Sequence, residues 1–229
     1  MEIDHIVWDW NGTLFDDGDA LVLATIDAFT MTGLGAVTRE SYQGHFTRPI
    51  SVFYDQLAGR TLTPAEQVRL NAHFHRSYAR RLAEVQVHAD AVSALTTWRE
   101  AGRTQSLLSM YPHEKLVALP QFRAIADFFV MVEGTRGNEA QRKEPHLRQH
   151  LAALNGKRTL VVGDNIDDVH AAQACGVPSV LYRPGERALV SEPRSGELGV
   201  PVVADLPSAV RWALAVGAND SHPGEIHLS

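Results

Sequence analysis

Four short apolar runs, each closed by a polar or glycine-bearing turn, constrain this chain more than any other feature. They are IVWD (6–9), SLLS (106–109), FFVMV (128–132) and TLVVGD (159–164). Continuous runs of this length, rich in β-branched and aromatic residues, suit strands buried on both faces, as in a parallel sheet. Helical patterns separate them. Residues 90–101 set Val92, Leu95 and Trp98 on one side and stop at Gly102. Residues 145–154 precede the fourth run, and residues 168–175, stopped by Gly176, follow it. Two later runs, PSVLY and VPVVA, and a helix near 207–216 extend the alternation. Strand–helix–strand order predicts right-handed crossovers and an α/β, doubly wound (Rossmann-like) parallel sheet.

About ninety residues between the first two runs break this rhythm and carry no clear strand. Residues 19–32 read as a helix with Val22, Ile26 and Phe29 inward, ending at Gly33. Thr63-Pro64-Ala65-Glu66 is a capping box with proline at the first helical position. Leu70, Phe74, Tyr78 and Leu82 then recur every four residues. The expectation is an all-helical cap domain over 17–86, inserted into a core made of 1–16 and 87–216, with a frayed tail over 217–229.

Composition excludes some classes. A net charge of −6 with scattered lysines gives no nucleic-acid or membrane surface. One cysteine, Cys175, allows no intrachain disulfide and no paired-cysteine metal site, and its apolar setting predicts a small buried residue. No apolar run reaches membrane-spanning length, so a cytoplasmic protein is expected. His73 and His75 are two apart, which on a helix points them to different sides and argues against a metal pair.

In an open parallel sheet, ligands sit at the carboxyl ends of strands. Asp9, Ser109 and Asp164 fall at those ends, with Lys143 in the loop-to-helix region after the third run. Two carboxylates, a hydroxyl and an ammonium suit a phosphate and a hard divalent cation. Asp9 is then a candidate nucleophile. Trp8, Trp98 and Trp212 read as core, whereas Trp10 is expected to wall the site.

These spaced motifs resemble the haloacid dehalogenase superfamily: DWNGT (9–13), Ser109, Lys143 in RKEPHL, and GDNIDD with Asp164 and Asp168. AAQACGV echoes a further segment of that family. The helical insertion resembles the subclass that includes phosphoglycolate phosphatases and β-phosphoglucomutases. The resemblance implies Mg²⁺ held by Asp9, the main-chain carbonyl of Asn11 and Asp164, supported by Asp167 and Asp168. It implies that Asp9 is the nucleophile, with Asn11 and Lys143 in the catalytic set. The phosphate would be held by Trp10, Thr13, Ser109, Met110 and Lys143, and Arg48 could reach a substrate carboxylate. The partner implied is a small phosphorylated metabolite.

Dehalogenases of the superfamily generally lack the acidic pair that GDNIDD retains. Phosphonoacetaldehyde hydrolases need a cap lysine, and the first lysine here is Lys115, beyond the cap. Phosphatases and mutases normally carry aspartate at position 11, which protonates the leaving alkoxide and then activates water. Asn11 can donate a hydrogen bond but cannot cycle a proton. Three outcomes stay open: a phosphatase with a substitute relay, one acting on good leaving groups, or an impaired protein that binds a phosphorylated ligand or a protein partner.

Overall fold

A computed structural model describes residues 2–137, 142–191 and 196–218. The tail expected to fray lies, from residue 219 onward, outside the described residues. Six strands form one parallel sheet: β1 (His5–Trp8), β2 (Thr104–Pro112), β3 (Val132–Thr135), β4 (Thr159–Gly163), β5 (Ser179–Tyr182) and β6 (Val202–Val203). Their spatial order is β3-β2-β1-β4-β5-β6. The chain builds outward from β1 on one side, then restarts at β4 on the other. The gap between the ends of β1 and β4 is therefore the topological switch point, where such sheets bind ligands.

Alternation along β1 splits the core into two layers. Ile6 and Trp8 point to one face, packed with Leu95 and Trp98 of α5 (Ala91–Glu100) and Val210 of the last helix, Leu206–Ala218. Val7 points to the other, against Leu147 of the helix Glu144–Ala153 and Ala171 of the helix Ile166–Ala174. Both layers bury their strands, which is why the centres of β1, β4 and β5 read as apolar runs.

Two expectations shift. FFVMV is not a strand along its length: Phe128 ends a 3₁₀ turn under the guanidinium of Arg99, and β3 begins only at Val132. β3 is an edge strand, mostly half-buried, so it needs no apolar run and the sequence pattern misplaces it. Val92 is 46% exposed, because the buried stripe of α5 runs through Ala91, Ala94, Leu95 and Trp98. Cys175 is half-buried rather than enclosed.

Between β1 and α5 lie four helices: α1 (Gly18–Thr32), α2 (Arg39–His45), α3 (Ile50–Ala58) and α4 (Pro64–Arg81). The Thr63 hydroxyl accepts the Glu66 N–H while the Glu66 carboxylate accepts the Thr63 N–H, closing the box that starts α4. Gly33 ends α1 with φ 68°, a left-handed value that favours glycine. The short helices α2 and α3 carry too few turns for periodicity to reveal them. They pack Tyr42, Phe53 and Tyr54 against Phe29 and Leu70 in a core of their own. No described helix is long and apolar enough to cross a membrane.

A buried polar chain crosses the sheet. The His5 ring is 2.7 Å from both the Thr104 and the Ser106 hydroxyls. Ser106 continues to His150 at 2.7 Å, and His150 to Glu133 at 2.6 Å. Ser106, His150 and Glu133 are arranged like a hydrolase triad, but Ser106 and His150 are wholly buried and none of the three lines the cavity beside Asp9. Burial pushes His5 down to about 3 and lowers His150 as well. The unfolded chain therefore takes up protons below about pH 6.5 that the native state refuses. Stability contributed by neutral His5 should be lost as pH falls from 6.5 toward 3, at no more than about 1.4 kcal/mol per pH unit. Denaturant titrations between pH 5 and 7 check this: His5→Gln should flatten the fall relative to the native protein.

Candidate active site

The carboxyl end of β1 carries Asp9, whose N–H still bonds Val162 O of β4 at 2.9 Å. That bond fixes the Asp9 carboxylate beside the end of β4, where Asp164 follows Gly163. Here α7 (Ile166–Ala174) begins, with Asn165 as N-cap and Asp168 accepting the Asn165 N–H at 3.1 Å. Lys143 stands just before α6 (Glu144–Ala153). Its ammonium lies 2.5 Å from Asp9 Oδ1 and 2.5 Å from Asp168 Oδ1, and all three side chains are buried. The Asp167 carboxylate accepts the Lys143 N–H at 3.0 Å and lies 3.8 Å from the Arg48 guanidinium.

Asp9, Asp164 and Asp168 converge within metal-ligand distance of one another. Three buried carboxylates face one ammonium, so negative charge is in excess. Burial pushes Asp9 up to about 7 although Lys143 opposes it. Burial, then the neighbouring Asp9 and Asp168, pushes Asp164 well above the carboxylate range. Asp164 Oδ2 is buried with no hydrogen-bond partner, while Oδ1 accepts the Thr13 hydroxyl at 3.1 Å. Gly12, at φ 75°, lies so close that a Cβ there would collide with the Asp164 carboxylate. A hard cation fits this donor set: it would meet the orphaned oxygen and offset the excess charge.

Several expected residues stand differently. Trp10 does not wall the site: its ring is wholly buried, stacked on Phe15 with centroids 4.9 Å apart and edge-on to Phe122. The Thr13 hydroxyl serves Asp164 and does not line the cavity. Ser109 is buried within β2, its oxygen accepting the Tyr111 N–H at 3.0 Å and its hydroxyl 3.4 Å from Asn11 Oδ1. Met110, Arg48, Asp167 and Asp168 line the cavity with Asp9, Asn11, Lys143 and Asp164.

Asn11 has neighbours that linear reading missed. Its amide nitrogen donates to Asp17 Oδ2 at 2.6 Å and lies 3.0 Å from the Tyr78 hydroxyl of α4. Asp17 is wholly buried and also accepts the Gly12 N–H at 2.7 Å and the Tyr78 hydroxyl at 2.5 Å. Burial pushes it up to about 6 despite those bonds. The carboxylate missing from position 11 thus stands one side chain away, and that carboxylate requires a donor at position 11. The tandem acids of FDDG were the available sequence signal.

A buried aspartate gripped by lysine at the switch point of a doubly wound sheet, under an inserted helical bundle, defines a hydrolase-type site. Residues 3–176 match the haloacid dehalogenase-like hydrolase model, and the chain belongs to that family. It is 25% identical to a phosphoglycolate phosphatase of Vibrio vulnificus over 213 residues, covering 84% of this chain and 91% of that one. A phosphoglycolate phosphatase of Salmonella paratyphi A is 31% identical over 142 residues, 56% of this chain and 54% of its own. A predicted phosphatase from Clostridium acetobutylicum shares the fold with a TM-score of 0.77 at 16% identity, covering 94% and 100% of the two chains. A haloacid dehalogenase-like hydrolase from Streptococcus pneumoniae gives 0.74 at 15%, covering 92% and 98%.

Proposed function

We propose that this protein is a Mg²⁺-dependent phosphatase that hydrolyses a phosphomonoester through an aspartyl-phosphate on Asp9. The observation that carries the reading is the Asp9 carboxylate held by Lys143 at 2.5 Å on the floor of the cavity. One oxygen of Asp9 is held by the ammonium, and the other would attack the phosphorus. Attack forms the Asp9–phosphorus bond and breaks the ester bond, and the electron pair leaves on the alcohol oxygen. Lys143 offsets charge on the phosphoryl oxygens, and Ser109 and the main chain around Trp10 and Met110 complete their cradle. Water then attacks the phosphorus, the bond from the Asp9 oxygen to phosphorus breaks with its electron pair returning to the carboxylate, and the water's proton passes to the released phosphate or to solvent.

Asp9, Asp164 and the main-chain carbonyl of Asn11 would hold the Mg²⁺. When bound it supplies charge neutralisation for the phosphate and for the acidic cluster. The inserted helices act as a cap that closes the site from above. Asn11 cannot move a proton to the leaving oxygen, so the enzyme should be slow on alkyl esters and faster where the leaving group needs no proton. The same residue supports a second reading, a protein that binds a phosphorylated ligand with negligible turnover.

Phosphate release from acyl, aryl and alkyl phosphates, with Mg²⁺ and with chelator, tests the choice. Mg²⁺-dependent release supports the phosphatase. Ligand binding without release from any class supports the binding protein. The cation itself has a readout besides activity. At about a hundredfold excess over its Kd it should stabilise the fold by about 2.7 kcal/mol. For a chain of this size that is about 5–10 °C in Tm. Asp164→Asn should abolish that shift and raise the metal-free Tm, because it replaces a carboxyl group whose ionisation burial and the neighbouring Asp9 and Asp168 oppose in the folded state.

A further inference from the structure

The cavity above Asp9 is large and long. Its volume is about 520 Å³, and one stripe of α4 lines it from Gln67 through Asn71, Phe74 and His75 to Tyr78. The eleven helical steps from Gln67 to Tyr78 span about 16 Å. Tyr78 stands at the floor, beside Asn11, whereas Asn71 and Val68 are exposed at the open end. Leu21 and Thr25 of α1, with Tyr42, Phe53 and Tyr54 of α2 and α3, also line the cavity. All the Asp and Lys side chains among the lining residues lie at the floor, and Arg48 is turned there toward Asp167. The shaft between floor and mouth is thus predominantly aromatic and apolar, and carries no carboxylate or lysine among the described lining residues.

Resting on the phosphatase reading, we propose that the substrate is an elongated phosphomonoester whose alcohol part carries an apolar, ring-bearing body that fills this shaft and reaches toward the mouth. A two-carbon acid such as phosphoglycolate occupies only the floor. It leaves the aromatic lining unfilled. A ring in the shaft would instead remove apolar surface of lining residues such as Phe74 and Tyr54 from water and could meet the edges and faces of their rings. Specificity then resides in the α4 stripe, with Phe74 inside the shaft and Asn71 at its rim, where a bulky replacement would narrow the entrance.

The test must separate fit from leaving-group chemistry, so it compares primary alkyl phosphates whose leaving oxygens are alike. Ethyl, benzyl, 2-phenylethyl and 4-phenylbutyl phosphate are assayed beside phosphoglycolate, with Mg²⁺ present. Each well-buried methylene is worth about fourfold in affinity. The expected result is a KM for 4-phenylbutyl phosphate at least about tenfold below that for ethyl phosphate. Its kcat/KM should also exceed that for phosphoglycolate. Asn71→Trp, which narrows the shaft, should cut the ratio of kcat/KM for phenylbutyl over ethyl phosphate about tenfold or more, and Asn71→Ala should leave the ratio high. Calorimetry with the matching phosphonates keeps the two readings apart. Affinity that rises with length, without hydrolysis of any ester, would sustain the shaft and sink the phosphatase. Hydrolysis that is fastest on phosphoglycolate, or insensitive to length, would overturn the shaft proposal and leave the phosphatase standing.

Discussion

Asp9→Asn should reduce phosphate release by at least about 10³-fold for every substrate class, as removal of a nucleophile does in enzymes with a covalent intermediate. The variant keeps the shape of the side chain and the hydrogen bond from the Lys143 ammonium, which an amide oxygen can still accept. Folding should therefore survive, and circular dichroism and thermal melts give the control. Burial already pushes Asp9 up to about 7, so removing its charge relieves crowding with Asp164 and Asp168 rather than opening a hole. Mass spectrometry after rapid quench should find phosphate on the native protein and none on the variant. Retention of native turnover by Asp9→Asn would refute the mechanism at its first step.

The second large effect concerns position 11. Restoring a proton-cycling group there should raise kcat on alkyl phosphates by about 10² to 10⁴, the usual worth of general acid–base help. Acyl phosphates, whose leaving group departs unprotonated, should gain little. Asn11→Asp alone sets a second carboxylate against Asp17, which now receives the Asn11 amide at 2.6 Å. Two carboxylates at that separation cannot both ionise, and one is forced to hold its proton. The double variant Asn11→Asp with Asp17→Asn restores the donor–acceptor match and should show the larger gain. Steady-state kinetics on matched alkyl and acyl phosphates decide this. If neither variant speeds alkyl hydrolysis, proton transfer is not what limits the enzyme.

Position 11 also marks where linear reading stops. Asn11 in DWNGT reads as a loss against the family pattern, and nothing in the neighbouring residues says what surrounds it. The explanation needs Asp17, six residues on, and Tyr78, on a helix sixty-seven residues away. Thr13 behaves similarly. It sits where a phosphate ligand is expected, but its hydroxyl is bound by Asp164, 151 residues later. Trp10, adjacent to the nucleophile, turns inward, where its ring stacks on Phe15 and meets Phe122 edge-on.

The sequence by itself determined the sheet, its layering and the strand-end residues Asp9 and Asp164. Buried strands and amphipathic helices write their periodicity into the chain, and a strand end is a local event. It determined the entry of α4 as well, since a capping box is four consecutive residues. The half-exposed edge strand β3 and the short helices α2 and α3 leave only weak patterns. The partners of Asn11, the orphaned oxygen of Asp164 and the aromatic shaft above Asp9 were decided only by tertiary structure. Each is a meeting of side chains from separate elements, and distance along the chain carries no record of which side chains will share a buried site.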